Sequence, residues 1–371
     1  MTRTTQLHQL HTELGARMID FAGWDMPVWY DSAIDEHHAV RNAAGLFDLG
    51  HMAELFVTGP QASAALDRAL LIDATAMPVG RARYSMICNE MGGIIDDLIV
   101  YRLDETEFMV VANASNGPVV FAELVERAAE FNATVDDRTD DFALVAVQGP
   151  KAEEIVLRLT GPELGDLKYY RVAHIQLSGD QVEGAGIEGV QGYAARTGYT
   201  GEDGFELFVP AEYSQALWNA LTQAGAPDGL VPVGLAARDT LRLEAGMPLY
   251  GNELTLETTP FDVGSARLVK PKDDWYVGSK ALAVAADEPH EFLVGLQIEG
   301  RRPARTGYDV RVDGRVIGVV TSGAPSPTLG NNIAIARLDQ TPELGARVQI
   351  DVRGTETSAT VVELPFYRRP Q

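Results

Sequence analysis

The chain has a single cysteine, Cys88, among 371 residues. That excludes internal disulfides and any zinc site built on several thiolates. No stretch approaches the run of about 18 apolar residues that a membrane-spanning helix needs. The opening Met1-Thr2-Arg3-Thr4-Thr5-Gln6 is not followed by the apolar core of a signal peptide. Together these absences point to a reducing cytoplasm. Positive charge is also scarce, with 30 Lys and Arg against 53 Asp and Glu for a formal net charge of −23. A surface that negative repels phosphate backbones, which argues against nucleic-acid binding. Any anionic ligand needs a local basic patch, and three candidates exist: Arg81 and Arg83; Arg301, Arg302 and Arg305; Arg368 and Arg369. Each reads equally well as solvated surface.

What is present is an ordinary globular share of hydrophobic residues, 46%, in a chain too long for one core, so two or three domains are expected. Strand-like segments at Glu54 to Thr58, Arg83 to Cys88, Ile94 to Tyr101 and Phe108 to Val111 are separated by turns. A helix is expected after Pro60, with Ala62, Leu66, Ala69 and Leu70 inward. Another carries Phe121, Leu124, Val125 and Ala128, with Ser115 as its N-cap. A second mixed block runs from Ala143 to about Ala285. It has strands at Ala143 to Val147 and Phe205 to Val209, and helices after Pro150, near Ala211 to Ala224 and from Gly234 to Ala245. Ala286 to His290 reads as a linker. Beyond it lie six short strand candidates without a helix, with Asp313-Gly314 as a hairpin turn, which predicts a small barrel or sandwich. The fold class is therefore α+β with a C-terminal antiparallel β-domain, divided as 1–142, 143–286 and 291–371, the first two exchanging segments.

Two runs carry candidate chemistry. In Gly92-Gly93-Ile94-Ile95-Asp96-Asp97-Leu98-Ile99-Val100-Tyr101, strand alternation puts Ile95, Asp97, Ile99 and Tyr101 on one face and Asp96, Leu98 and Val100 on the other. A carboxylate among Ile and Tyr is costly to desolvate unless something hydrogen-bonds it. It reads either as a capped strand end or as a polar group in an apolar cavity. In Arg196-Thr-Gly-Tyr-Thr-Gly-Glu-Asp-Gly-Phe-Glu206 the glycines lack the Lys-Ser/Thr pair of a phosphate loop and lead into a strand. Glu206 is then either the solvent-facing position of an edge strand or a buried ligand group. Arg238 and Arg242 share a helix face, where Asp239 and Glu244 offer ordinary helix ion pairs worth little. The seven histidines form no metal pattern, and no Gly-x-Ser-x-Gly elbow supports nucleophilic hydrolysis.

Taken in order, several runs resemble the T-protein family of the glycine cleavage system. They are Phe21-Ala-Gly-Trp-Asp-Met-Pro27, Gly45-Leu-Phe-Asp-Leu-Gly-His-Met52, Gly92 to Asp97, Arg196 to Glu206, Gly234-Leu-Ala-Ala-Arg-Asp239 with Leu243-Glu-Ala-Gly246, and Thr321-Ser-Gly with Ser326-Pro-Thr-Leu-Gly330. The resemblance implies a tetrahydrofolate-dependent aminomethyltransferase. It takes a one-carbon unit from the lipoyl arm of a partner H-protein, releases ammonia and forms 5,10-methylenetetrahydrofolate. It implies two folate-binding α/β domains and a barrel in a clover-leaf arrangement. By residue matching, Asp97 is the catalytic acid group near N10 of folate and Glu206 receives the pterin N–H edge. Met52, Tyr84, Ile99, Tyr101, Val111 and Tyr199 line the pocket, Arg238 holds the anionic part of folate, and Tyr169 and Tyr170 are further candidates. No metal is implied.

The chain departs from the family where it reads Pro260-Phe-Asp-Val-Gly-Ser-Ala-Arg267: many members have a tryptophan there, so either a wall of the pocket is missing or Arg267 meets a folate carboxylate. Tyr367 and Arg368 match loosely. A folate-dependent demethylase with a small-molecule donor is the alternative that shares the Asp and Glu. An iron–sulfur maintenance protein of this scaffold carries a Lys-Gly-Cys-x-x-Gly motif, whereas Leu243 to Gly251 has no cysteine. A fused flavin dehydrogenase would need a dinucleotide segment absent here.

Overall fold

Alternating helix and strand patterns build a six-stranded and a five-stranded sheet, and the helix-poor C-terminal part closes into a barrel. The computed structural model describes residues 2–179, 182, 184, 186–272 and 274–370. The chain opens with α1 (His8–Glu13), β1 (Arg17–Phe21), β2 (Trp24–Trp29), α2 (Ala33–Asn42), β3 (Ala44–Asp48), β4 (Ala53–Thr58) and α3 (Ala62–Ala69). Next come β5 (Ala82–Cys88), β6 (Ile94–Asp104), β7 (Glu107–Ala112), α4 (Gly117–Ala128) and β8 (Thr134–Asp137). The second block holds β9 (Phe142–Gln148), α5 (Ala152–Thr160), β10 (Val172–Gln176), β11 (Gln191–Ala195), β12 (Gly204–Pro210), α6 (Ser214–Gly225), β13 (Leu230–Pro232), α7 (Leu235–Glu244) and α8 (Ser279–Ala285). The barrel strands are β14 (Phe292–Ile298), β15 (Asp309–Val312), β16 (Arg315–Ser326), β17 (Asn331–Leu338), β18 (Arg347–Val352) and β19 (Thr355–Val362). Among the described residues no helix is long and apolar enough to cross a membrane.

The chain divides into two compact units: Met1–Ala69, Asp73–Ser85 and Leu98–Arg238 form one, and Leu70–Ile72, Met86–Asp97 and Asp239–Gln371 the other. In the first unit a six-stranded sheet runs β10-β11-β12-β9-β3-β13. Its middle strands read as continuous apolar runs because both faces are covered. On one face Val145, Val147, Phe205, Leu207 and Val209 pack with Ile155, Leu159, Trp218 and Leu221 of α5 and α6. On the other, Phe142 stacks on Phe56 at 5.5 Å and Phe208 meets Tyr101 edge-on at 5.7 Å. Phe56 and Tyr101 belong to the five-stranded sheet, ordered β5-β6-β7-β4-β8. β3, from early in the chain, pairs antiparallel with β9 and parallel with β13, so the six-stranded sheet draws on both blocks.

Two local expectations are corrected. Ser115 does not cap α4: the helix begins at Gly117 with Pro118 in its first turn and no side-chain cap, since proline is already set for that position. Val125 is 43% exposed. Its inward row is Val120, Leu124 and Ala128, spaced four apart along one helix face.

In the second unit the six strands close as β14-β17-β16-β15-β18-β19. Strand β18 alternates strictly between buried Val348, Ile350, Val352 and outward polar residues, as a filled barrel requires. Asp313 and Gly314 both have positive φ, 51° and 78°, the paired left-handed geometry of a tight hairpin turn. The end of α7 is bonded to the barrel. Glu244 accepts from Ser326 Oγ (2.5 Å) and from Thr328 N (3.1 Å) and Oγ1 (2.7 Å). Arg242 donates to Ser322 Oγ at 2.9 Å.

Candidate active site

The site is built on β12. This strand lies third of six, between β11 and β9, so Glu206 is not on an edge, and the edge-strand alternative falls. Glu206 is 9% exposed. Its direct cross-strand neighbours are Ala195 and Ala146, small residues that leave room around the carboxylate. Tyr101 OH donates to Glu206 Oε2 at 3.1 Å, and Thr197 Oγ1 makes a short bond to the same oxygen. Among the described residues no protein group donates to Oε1. The Tyr101 phenol is held well above its usual pKa by burial and then by the charge of Glu206. It therefore stays a neutral donor.

The loop before β12 explains why its sequence is so rich in glycine. Gln148 Nε2 donates to Thr197 O at 3.0 Å, and Gln148 Oε1 accepts from Thr200 Oγ1 at 2.9 Å. A Cβ on Gly198 would lie 1.9 Å from Gln148 Oε1, and one on Gly204 would lie 2.4 Å from Val147 O. Only glycine allows this approach. Arg196 Nε donates to Asp203 Oδ1 at 3.0 Å, closing the loop, and Arg41 Nη1 donates to Thr200 O at 2.8 Å. The result is a fixed Thr197 aimed at Glu206.

Arg238, on α7, sets its guanidinium 4.9 Å from the centre of the Tyr199 ring. Burial lowers its pKa, and Tyr199 and Glu206 oppose the shift. His51, 3% exposed with Nδ1 unpartnered, is lowered to about 4 by burial and then by Arg238. It is a neutral neighbour of the arginine at physiological pH.

Glu206, Tyr101, Tyr199 and Arg238 are thus brought together. Ile99 and Val111 are direct partners across β6 and β7, on the same sheet face as Tyr101. Met52 and Tyr84 are half-buried, in the turn before β4 and in β5. Tyr169 is 46% exposed, edge-on to Tyr170 at 4.9 Å. Asp97 is half-buried in β6 while Asp96 is 0% exposed, in keeping with the alternation. Asp97 belongs to the second unit and the Glu206 cluster to the first. Arg242 makes the expected helix ion pair with Asp239, but from a buried position. It is 2% exposed and bonds Glu253 Oε2 (3.3 Å), Asp239 and Ser322. Arg267 is exposed in a short turn at Ala266–Leu268, and Arg368 forms an exposed pair with Glu363 at 3.6 Å.

Sequence reasoning missed Thr197, Gln148 and His51. Thr197 was within reach, because it belongs to the glycine-rich run. It also missed Glu54, which is 0% exposed with neither carboxyl oxygen hydrogen-bonded. Glu54 lies directly across from Val111. Burial, then the charge of Asp137, pushes its pKa well up. A raised folded pKa means that stability is fully present below the unfolded value and is lost as pH rises toward the folded one. Glu54→Gln is therefore expected to raise the urea midpoint, and by more at about pH 8 than at about pH 5. A gain independent of pH would show that Glu54 does not titrate this way.

Comparison with known proteins covers nearly the whole chain. The family model described as the GCVT N-terminal domain matches residues 7–273, and that of the glycine cleavage T-protein C-terminal barrel domain matches 292–368. An aminomethyltransferase of Saccharopolyspora erythraea is 54% identical over 371 residues, covering 99% of this chain and 98% of the relative. That of Streptomyces avermitilis is 56% identical over 374 residues, with the same coverage. The crystal structure of the glycine cleavage system aminomethyltransferase T from Bartonella henselae superposes with a TM-score of 0.87 at 36% identity, covering 100% of this chain and 99% of that one.

Proposed function

Because this chain belongs to the glycine cleavage T-protein family and is an aminomethyltransferase, we propose that it binds tetrahydrofolate through Glu206 and uses Asp97 for the transfer step. The donor is the aminomethylated lipoyl arm of H-protein, the products are ammonia and 5,10-methylenetetrahydrofolate, and the setting is the cytoplasm. Tetrahydrofolate supplies the nitrogen atoms that accept the one-carbon unit.

The observation that carries the binding role is the divided carboxylate of Glu206. Oε2 is fixed by Tyr101 and Thr197, so the buried group is oriented before any ligand arrives. Oε1 is left to accept a pterin N–H, and a charged acceptor roughly doubles the strength of such a bond. Arg238 offers its guanidinium to an anionic group, with Tyr199 as an aromatic surface beneath it. Asp97 holds a proton-bearing amine in place and stabilises positive charge that develops during transfer.

Glu206→Gln is expected to weaken tetrahydrofolate binding by roughly 1–3 kcal/mol without unfolding the protein, as titration calorimetry can measure. The amide presents an N–H donor toward donors, leaving polar groups unpaired. Unchanged affinity would remove Glu206 from the site. The activity itself is tested by incubating the protein with tetrahydrofolate and aminomethylated H-protein and following ammonia. Release no faster than without protein would refute the reading.

A further inference from the structure

A chain with 53 acidic and 30 basic residues has carboxylates to spare, so a group of cations without any is unexpected. Arg81 and Arg171 are direct antiparallel neighbours across an isolated bridge. Like charges facing each other in that way destabilise a pairing. Arg83 adds a third positive charge, and the exposed Lys168 lies three residues before Arg171. Among the described residues no carboxylate pairs with any of the four. Neighbouring arginines show what compensation looks like here: Arg102 pairs with Glu105, and Arg196 with Asp203 and Glu153. The Arg81 guanidinium is shifted down by partial burial and then by the charges of Arg171 and Arg83.

Among the described residues Arg301, Arg302 and Arg305 also have no carboxylate partner, but no like-charged residue faces them across a strand pair. Arg305 donates to Gly323 O at 3.3 Å, and Arg368 has Glu363. The place of the cluster also matters. Arg81 O accepts from Arg102 N, next to Tyr101, and Arg171 O accepts from Arg196 N, next to Thr197, both at 2.9 Å. The backbones of Arg81 and Arg171 are therefore bonded to the residues that adjoin the two groups fixing Glu206.

We propose that Arg81, Arg83 and Arg171, extended by Lys168, form a docking surface for an acidic face of the protein that carries the aminomethyl donor. The inference rests on the functional reading above. A strongly negative enzyme repels an acidic partner at long range, and a local positive patch on strands bonded to those that carry Tyr101 and Thr197 reverses that field locally. Strand alternation puts Arg83 on the β5 face opposite Tyr84, outside the expected pocket lining. This favours a protein partner over the anionic end of folate.

The test is steady-state kinetics of ammonia release with aminomethylated H-protein, on Arg81→Gln, Arg83→Gln, Arg171→Gln and the triple variant. KM for H-protein is expected to rise roughly 2–5-fold for each single change and about tenfold or more for the triple, with kcat and KM for tetrahydrofolate unchanged. The dependence of KM on salt should flatten. Lys168→Gln, at an exposed position, gives a variant whose folding is not in question. A rise in KM for tetrahydrofolate instead would assign the patch to folate. No change in either constant would make it solvated surface, and a fall in kcat with a lower denaturation midpoint would make it structural. Absence of ammonia release from the unsubstituted protein would refute the functional reading itself, a different result from any of these.

Discussion

Asp97→Asn is expected to lower turnover by roughly 10²-fold or more while leaving tetrahydrofolate affinity nearly unchanged. The amide keeps the shape of the side chain and loses its charge, so what disappears is the stabilisation of positive charge in the transition state, not the fit of the ligand. The control is next door. Asp96 is 0% exposed on the opposite strand face, so Asp96→Asn is expected to lower the denaturation midpoint with little change in turnover of the folded fraction. Single-turnover measurements with aminomethylated H-protein, alongside calorimetric titration of tetrahydrofolate, separate the two. Equal losses of rate in both variants would sink the alternation argument. A fully active Asp97→Asn would exclude a catalytic role for that residue.

Arg242→Met should cause the largest loss of stability, about 3–5 kcal/mol. Arg242 and Glu253 are both essentially fully buried, 2% and 0% exposed. Removing the guanidinium strands a carboxylate that then has Leu249 N, at 2.9 Å, as its remaining donor. The tie from α7 to Ser322 in the barrel is lost with it. Adding Glu253→Leu to Arg242→Met should recover much of the loss, because a buried pair replaced by apolar groups is often neutral. Urea unfolding followed by circular dichroism reads both effects. A midpoint unmoved by Arg242→Met would mean that the pair is open to water. A double variant no better than the single would place the loss in the contact with Ser322.

The family runs turn out to be of two kinds, and sequence reasoning could not separate them. Arg196 to Glu206 contains Thr197 and Glu206, the groups proposed to meet the ligand, and the glycines that let Gln148 approach. Leu243 to Gly246 and Thr321 to Gly330 are joined to each other, through Glu244 to Ser326 and Thr328, and hold the second unit together. In one dimension both are conspicuous strings. What distinguishes them is whether a partner for each polar atom is found within the protein, and that depends on residues 82 and 84 positions away.

Pattern alone determined the elements of this protein. Period-two alternation marked β6 and β12, and short apolar runs separated by turns, without a helix, marked the six barrel strands. Order and spacing of the polar runs identified the family. Tertiary structure decided the rest. It made β12 an inner strand by inserting β9 and β11 on either side, which turned Glu206 from a solvent-facing position into an oriented buried acid. It placed Thr197 and Tyr101, 96 residues apart, on one oxygen of that acid. Among the described residues it left the Glu54 carboxyl without a hydrogen bond and set Arg81 directly across from Arg171. None of these is a property of any local segment. Each follows from which backbones lie side by side, and burial then sets whether a charge is neutralised, oriented or left over.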